Sequence, residues 1–154
     1  MQILIAAVGR LRGPEQTLCA EYCARATQAG RRLSLGPVEI REVDERRAVD
    51  RDAQATRLLD LTEGCHRIAL DERGKALDSS ALAARMERLR DDGTRRLAFM
   101  IGGADGHGGA ALLAADLALS LGPMVWPHAL ARVMLAEQVY RVTQIVSGTP
   151  YHRA

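Results

Sequence analysis

A chain of 154 residues, 47% of them hydrophobic, has the length of a single domain and enough apolar content for its own core, which excludes a disordered or low-complexity protein. Only 3% of residues are aromatic, so that core has to be aliphatic. The formal net charge of +2 is too small to demand a nucleic-acid partner and leaves one open, and no apolar run is long enough to span a membrane.

The first element is a compact apolar run, Ile3 to Val8, ending at Gly9 and read as a buried strand. Pro14 opens a helix with Leu18, Cys19, Tyr22 and Ala26 on one face, stopped near Gly30. Cys19 and Cys23 sit one helical turn apart, a spacing that can hold a metal. No His or Cys nearby completes a ligand set, so they read as small buried hydrophobes and no metal is expected. The odd count of three cysteines, without a signal peptide, points to the cytoplasm.

Val38 to Val43 alternates imperfectly and reads as a more peripheral strand. A charged stretch with Arg41, Arg46, Arg47, Arg51 and Arg57 follows, overlapping a helix that carries Ala55, Leu58 and Leu59. Such a run is a solvated face or, more sharply, an RNA-facing lip. Lys75 is the only lysine among the 21 basic residues. Genome composition explains that bias, and arginine's planar fork would also suit phosphates.

His66 to Asp71 is the next strand, with Glu72-Arg73-Gly74-Lys75 as a turn at its carboxyl end. Asp78-Ser79 caps a helix facing Leu82, Met86 and Leu89 inward. Leu97 to Ile101 is apolar throughout, as a central parallel strand covered on both faces should be. It runs into a glycine-rich loop, Gly102 to Gly109, then a short helix near Ala110 to Ala115, a strand around Leu117 to Leu121, and a long helix from Pro127 to Val146. That last helix carries Ala131, Leu135, Val139, Val142 and Val146 on one stripe, and Leu130, Val133 and Tyr140 opposite. Two apolar sides need two covers, one of them open to a second subunit. Tyr151, His152 and Arg153 end the chain, where fraying is the default.

Strands alternating with helices predict an α/β fold with a mostly parallel sheet and helices on both faces. Ligands of such sheets bind beyond the carboxyl ends of the strands. Three irregular segments should gather there: 70–75, 102–109 and 122–127. None carries a P-loop, a dinucleotide-binding glycine fingerprint or a nucleophile elbow. His66 reads as a strand start, His107 as exposed and His128 as open.

At this point the residues are familiar. LDERGK (Leu70 to Lys75), IGGADG (Ile101 to Gly106), WPHALARVMLAEQVYR (Trp126 to Arg141) and PYHR (Pro150 to Arg153) resemble the RlmH family of SPOUT-superfamily methyltransferases, over essentially the whole chain. Ala104, Asp105 and Ala129 depart from the family's pattern. The resemblance implies one domain, 1–154, with a C-terminal trefoil knot. It implies a homodimer that binds S-adenosylmethionine and methylates N3 of a pseudouridine in 23S rRNA, on the assembled ribosome. The implied cofactor contacts are Leu70, Gly103 and the run Gly122, Pro123, Met124, Val125, Trp126, Pro127. The implied acceptor-side residues are Tyr151, His152 and Arg153, with His152 as base or Arg153 as charge stabiliser. His128, Arg132 and Arg141 are the expected RNA contacts. A transfer-RNA methyltransferase of the same superfamily, or a non-catalytic ribosome- or RNA-binding protein, stands as the alternative.

Overall fold

The computed structural model describes residues 1–153, with side chains through Tyr151. Ten main elements alternate: β1 (Gln2–Val8), α1 (Gly13–Gly30), β2 (Val38–Val43), α2 (Arg51–Leu61), β3 (His66–Ala76), α3 (Ser79–Asp91), β4 (Arg96–Ile101), α4 (Gly109–Leu113), β5 (Leu117–Ser120) and α5 (His128–Val146). The five strands form one sheet in the order β2-β1-β4-β3-β5, and every neighbouring pair is parallel. The expected α/β architecture is therefore present. β2 is an edge strand and β4 a central one, as their sequence patterns suggested.

The pleat divides the strands into two cores, because successive side chains point to opposite faces. Ile3, Ile5, Ile68, Leu97, Phe99, Ile101 and Leu119 join Cys19, Cys23, Leu82, Met86, Leu135, Val139 and Val142 under α1, α3 and α5. On the other face Leu4, Ala6, Val8, Ala69, Ala98 and Met100 meet Ala55 and Leu58 of α2 and Ala111 of α4. Asp50 and Asp78 cap α2 and α3 by accepting hydrogen bonds from the N–H groups of Ala53 and Ala81, each at 2.7 Å. Such caps contribute about 1 kcal/mol each.

Three expectations are corrected. Glu72 to Lys75 is not a turn that ends β3. The strand continues to Ala76, with Leu70 and Lys75 both paired to Leu119 of β5, so the residues between them bulge outward. Gly74 allows the return: a Cβ there would lie 2.6 Å from the Ala118 carbonyl carbon. The apolar face of α1 is narrower than expected, since Leu18 remains 42% exposed. The chain end is not frayed through Tyr151. Pro150–Arg153 forms a 3-10 turn, and Tyr151 packs edge-on against Tyr140 at 4.9 Å between ring centroids. Its hydroxyl donates to Glu137 at 3.0 Å. Among the described residues no helix is long and apolar enough to cross a membrane.

Candidate functional site

In a parallel sheet all strands deliver their carboxyl ends to one edge, where the connecting loops are free to line a ligand cleft. Here that edge holds a cleft bounded by Leu70, Asp71 and Glu72 from β3, by Ile101, Gly102, Gly103 and Gly106 after β4, and by Leu119, Leu121, Gly122, Met124, Val125 and Trp126 from β5 and its loop. His128 and Ala131 of α5 close it. The three irregular segments thus converge as strand topology required. Leu70, Gly103, Gly122, Met124, Val125 and Trp126, expected from the family resemblance, all line this cleft. Pro127 lines an adjoining cavity instead. Pro123 sits in the same segment without lining either one.

The cleft is apolar, with backbone at close range and few side-chain hydrogen-bonding groups. The indole N–H of Trp126 is buried and makes no hydrogen bond. Buried polar groups are nearly always paired, so this donor is reserved for something not in the protein. Met124 and Val125 lie at the lip with 62% and 81% exposure, an apolar surface that a bound molecule would cover.

Gly103 meets a different constraint from the expected one. A Cβ there would come 2.7 Å from Oε1 of Gln54 and 3.2 Å from Cγ1 of Val8. The missing side chain makes room for α2 and β1 behind the loop, so a larger residue would push the loop into the cleft rather than fill the cleft itself.

The adjoining cavity, about 760 Å³, shares the Leu70, Gly103 and Trp126 wall and adds Arg51, Arg73, Asp105, His107 and Pro127. Its volume lies in the range of ligand pockets. His107, expected to be exposed, is 7% exposed. Neither of its ring nitrogens has a well-formed hydrogen bond. Burial pushes its pKa below the usual 6.5, against the opposing pull of the Met100 carbonyl, Asp71 and the Leu70 carbonyl.

The expected RNA-contacting residues divide. His128 lines both cavities. Arg132 does not face solvent at all: it is 0% exposed. Its guanidinium donates to Glu42 at 2.7 Å and to the carbonyls of Val8 and Gly9 at 3.0 Å each. Burial lowers its pKa and Glu42 opposes the shift. The expectation of a phosphate contact is thus replaced by a buried ion pair that joins α5 to the ends of β1 and β2. Arg141 is bound to Glu137 at 2.8 Å and lies over the Tyr151 ring at 4.8 Å. Tyr151 has its pKa pushed up to about 12 by burial and by its hydrogen bond to Glu137. The side chains of His152 and Arg153 lie outside the described residues.

Sequence reasoning missed Glu42 and Gln54, whose partners are distant in the chain, and the apolar lining from Ile101, Leu119, Leu121 and Ala131. The last four carried a usable signal, because they flank the loops at strand and helix ends. Among the described residues no group of three or more His, Cys, Asp or Glu is placed to hold a metal ion.

Comparison with known proteins agrees with this geometry. Residues 1–152 match the family model described as predicted SPOUT methyltransferase. The chain is 53% identical over 154 residues to a protein of Phenylobacterium zucineum named ribosomal RNA large subunit methyltransferase H, covering 99% of both chains. It is 51% identical, with the same coverage, to the protein of that name from Caulobacter vibrioides. Among solved structures, a probable methyltransferase from Bordetella pertussis superposes with a TM-score of 0.53 at 9% identity, covering 92% of this chain and 96% of that one; this likeness supports the fold alone. By the family match and these full-length relatives, the chain belongs to the SPOUT methyltransferase family.

Proposed function

We propose that this protein transfers a methyl group from S-adenosylmethionine to N3 of a pseudouridine in 23S ribosomal RNA, on the assembled ribosome. The observation that carries the reading is the apolar, backbone-lined cleft where the ends of β3, β4 and β5 meet, in a chain about half identical to relatives named for large-subunit ribosomal RNA methylation.

The residues present fit the cofactor. Leu70, Met124, Val125 and Trp126 offer apolar walls to a purine and a thioether-like chain. The unpaired Trp126 N–H offers a donor to one of the ligand's polar atoms. S-adenosylmethionine, when bound, supplies a methyl already activated on a sulfonium. The protein's task is then to hold donor and acceptor in line, to exclude water, and to lower the cost of removing the acceptor's proton.

The reading includes a C-terminal trefoil knot, a cytoplasmic location and a homodimer. The groove between α1, α3 and α5, with Leu18, Leu82, Val133 and Met134 on its walls, is the surface offered to a second copy. Tyr151 is held at Glu137, nine residues beyond His128 on α5, or about 14 Å along the helix. Tyr151, His152 and Arg153 therefore serve the acceptor side best across the dimer, at the neighbouring subunit's cleft.

The test is incubation of the purified protein with ribosomes and methyl-labelled S-adenosylmethionine, followed by mass spectrometry of nuclease fragments. One methyl on a pseudouridine of the large-subunit RNA is expected. Label in transfer RNA, or cofactor binding without transfer to any RNA, would overturn the assignment.

A further inference from the structure

The cavity beside the cofactor cleft has a feature that cofactor binding does not explain. His107 forms part of its wall on the loop between β4 and α4, buried, with neither ring nitrogen well hydrogen-bonded. A buried polar group left unpaired costs about 1–3 kcal/mol, so the imidazole is placed against that cost. A neutral imidazole offers one donor and one acceptor. The Trp126 N–H, also unpaired, lies in the wall that this cavity shares with the cofactor cleft. A uracil-type base presents carbonyl, N–H and carbonyl along its imide edge. Two donors and an acceptor are the complement of that edge.

The charged and titratable groups around the cavity are few. Asp71, Glu72 and Arg73 come from the β3 bulge, Arg51 from the start of α2, Asp105 from the same loop as His107, and His128 from α5. Arg73 is paired to Asp71 at 3.4 Å. Burial holds the imidazole neutral at pH 7, while Asp71 favours the imidazolium once a proton arrives. The other candidate on the described chain, Tyr151, is tied to Glu137 with its pKa raised, which leaves it protonated at neutral pH.

On the functional reading above, we propose that this cavity receives the acceptor base of the RNA and that His107 takes the proton leaving its imide nitrogen. The imide nitrogen forms a bond to the methyl carbon, and the carbon–sulfur bond breaks with its electron pair staying on sulfur. The N–H proton passes to the free imidazole nitrogen. The positive charge thus moves from sulfonium to imidazolium, next to Asp71, and leaves when the ring returns its proton to water.

The experiment has two arms. In the first, histidine side chains labelled with nitrogen-15 are followed by NMR in the intact protein, with S-adenosylhomocysteine present and pseudouridine nucleoside as the probe. The His107 ring should be neutral at pH 7, and its nitrogen signals should move as nucleoside is added. Nucleoside binding that shifts only His128 would overturn the proposal. In the second, His107→Gln is compared with the wild type on ribosomes. The variant should keep cofactor affinity within about threefold and lose roughly 100-fold or more in rate, the low end for a general base. The wild-type rate should rise with pH along a limb below pH 6.5, and His107→Gln should lack that limb. A variant with the wild-type rate and limb would overturn the assignment. If His107→Gln fails to fold, the NMR arm decides. A wild-type protein that leaves ribosomes unmethylated would refute the functional reading, and the nucleoside titration would still judge His107.

Discussion

The carboxyl edge of the sheet has two halves built on opposite principles. At the ends of β1 and β2, Arg132 reaches from α5 and is met by the Glu42 carboxylate and the carbonyls of Val8 and Gly9. Glu42 also accepts from the Leu11 N–H at 2.8 Å. At the ends of β3, β4 and β5 the polar groups of Trp126 and His107 are buried without partners, and apolar Met124 and Val125 stand exposed. One half is closed by the chain's own chemistry and contributes to folding. The other is left incomplete, and in a protein otherwise well packed an incomplete region marks where a ligand belongs.

Removing the closure should have the largest effect. Glu42→Ala leaves the Arg132 charge buried without its counter-ion and should cost about 3 kcal/mol in urea unfolding. Replacing both partners, Arg132→Met with Glu42→Leu, should recover most of that loss, because a hydrophobic substitute avoids desolvating two charges. A Glu42→Ala variant with unchanged stability would show that the pair adds nothing.

A smaller cost is expected behind the open half. Gly103→Ala overpacks against Gln54 and should lose about 1–3 kcal/mol. Adding Gln54→Ala should restore most of the loss if that contact is the cause. Full recovery of stability with cofactor binding still abolished would mean that the Gly103 backbone itself meets the ligand. Trp126→Phe keeps the ring and removes the unpaired donor. Stability should change by less than about 0.5 kcal/mol, whereas S-adenosylmethionine affinity in calorimetry should fall about fivefold, the worth of one neutral hydrogen bond.

The smallest effect is expected at Tyr151→Phe, which loses one hydrogen bond to Glu137 worth about 1 kcal/mol or less. In ultraviolet titration of the wild type one tyrosine should ionise late, near the raised value of about 12, and this step should vanish in the variant. Because the folded pKa lies above the model value of 10.0, the unfolded chain loses its proton first. The contribution of Tyr151 to stability is therefore full below pH 10 and lost as pH rises from 10 to 12.

Most of the architecture was legible in the sequence because it follows from local pattern. Apolar runs of strand length alternate with helices capped by Asp50 and Asp78, and parallel strands send their following loops to one edge. The convergence of 70–75, 102–109 and 122–127 follows from that rule, and the family resemblance independently named residues in the same loops. What escaped was long-range. Arg132 lies 90 residues from Glu42, and nothing local separates a buried arginine from a solvated one on the same helix. His107 sits between Gly106 and Gly108 in a stretch that reads as exposed, yet α4 and its loop pack on α2 and enclose the imidazole. The β3 bulge depends on a close approach of Gly74 to β5, and a glycine after charged residues reads as a turn.

Trp126 is the only tryptophan in the chain, and it lines the open half. Its fluorescence therefore tests the central claim most directly. Titrating S-adenosylmethionine into the wild-type protein should change the emission saturably, at one equivalent per subunit. The account is contradicted if the emission stays constant while calorimetry records cofactor binding, because the ligand would then sit elsewhere on the molecule.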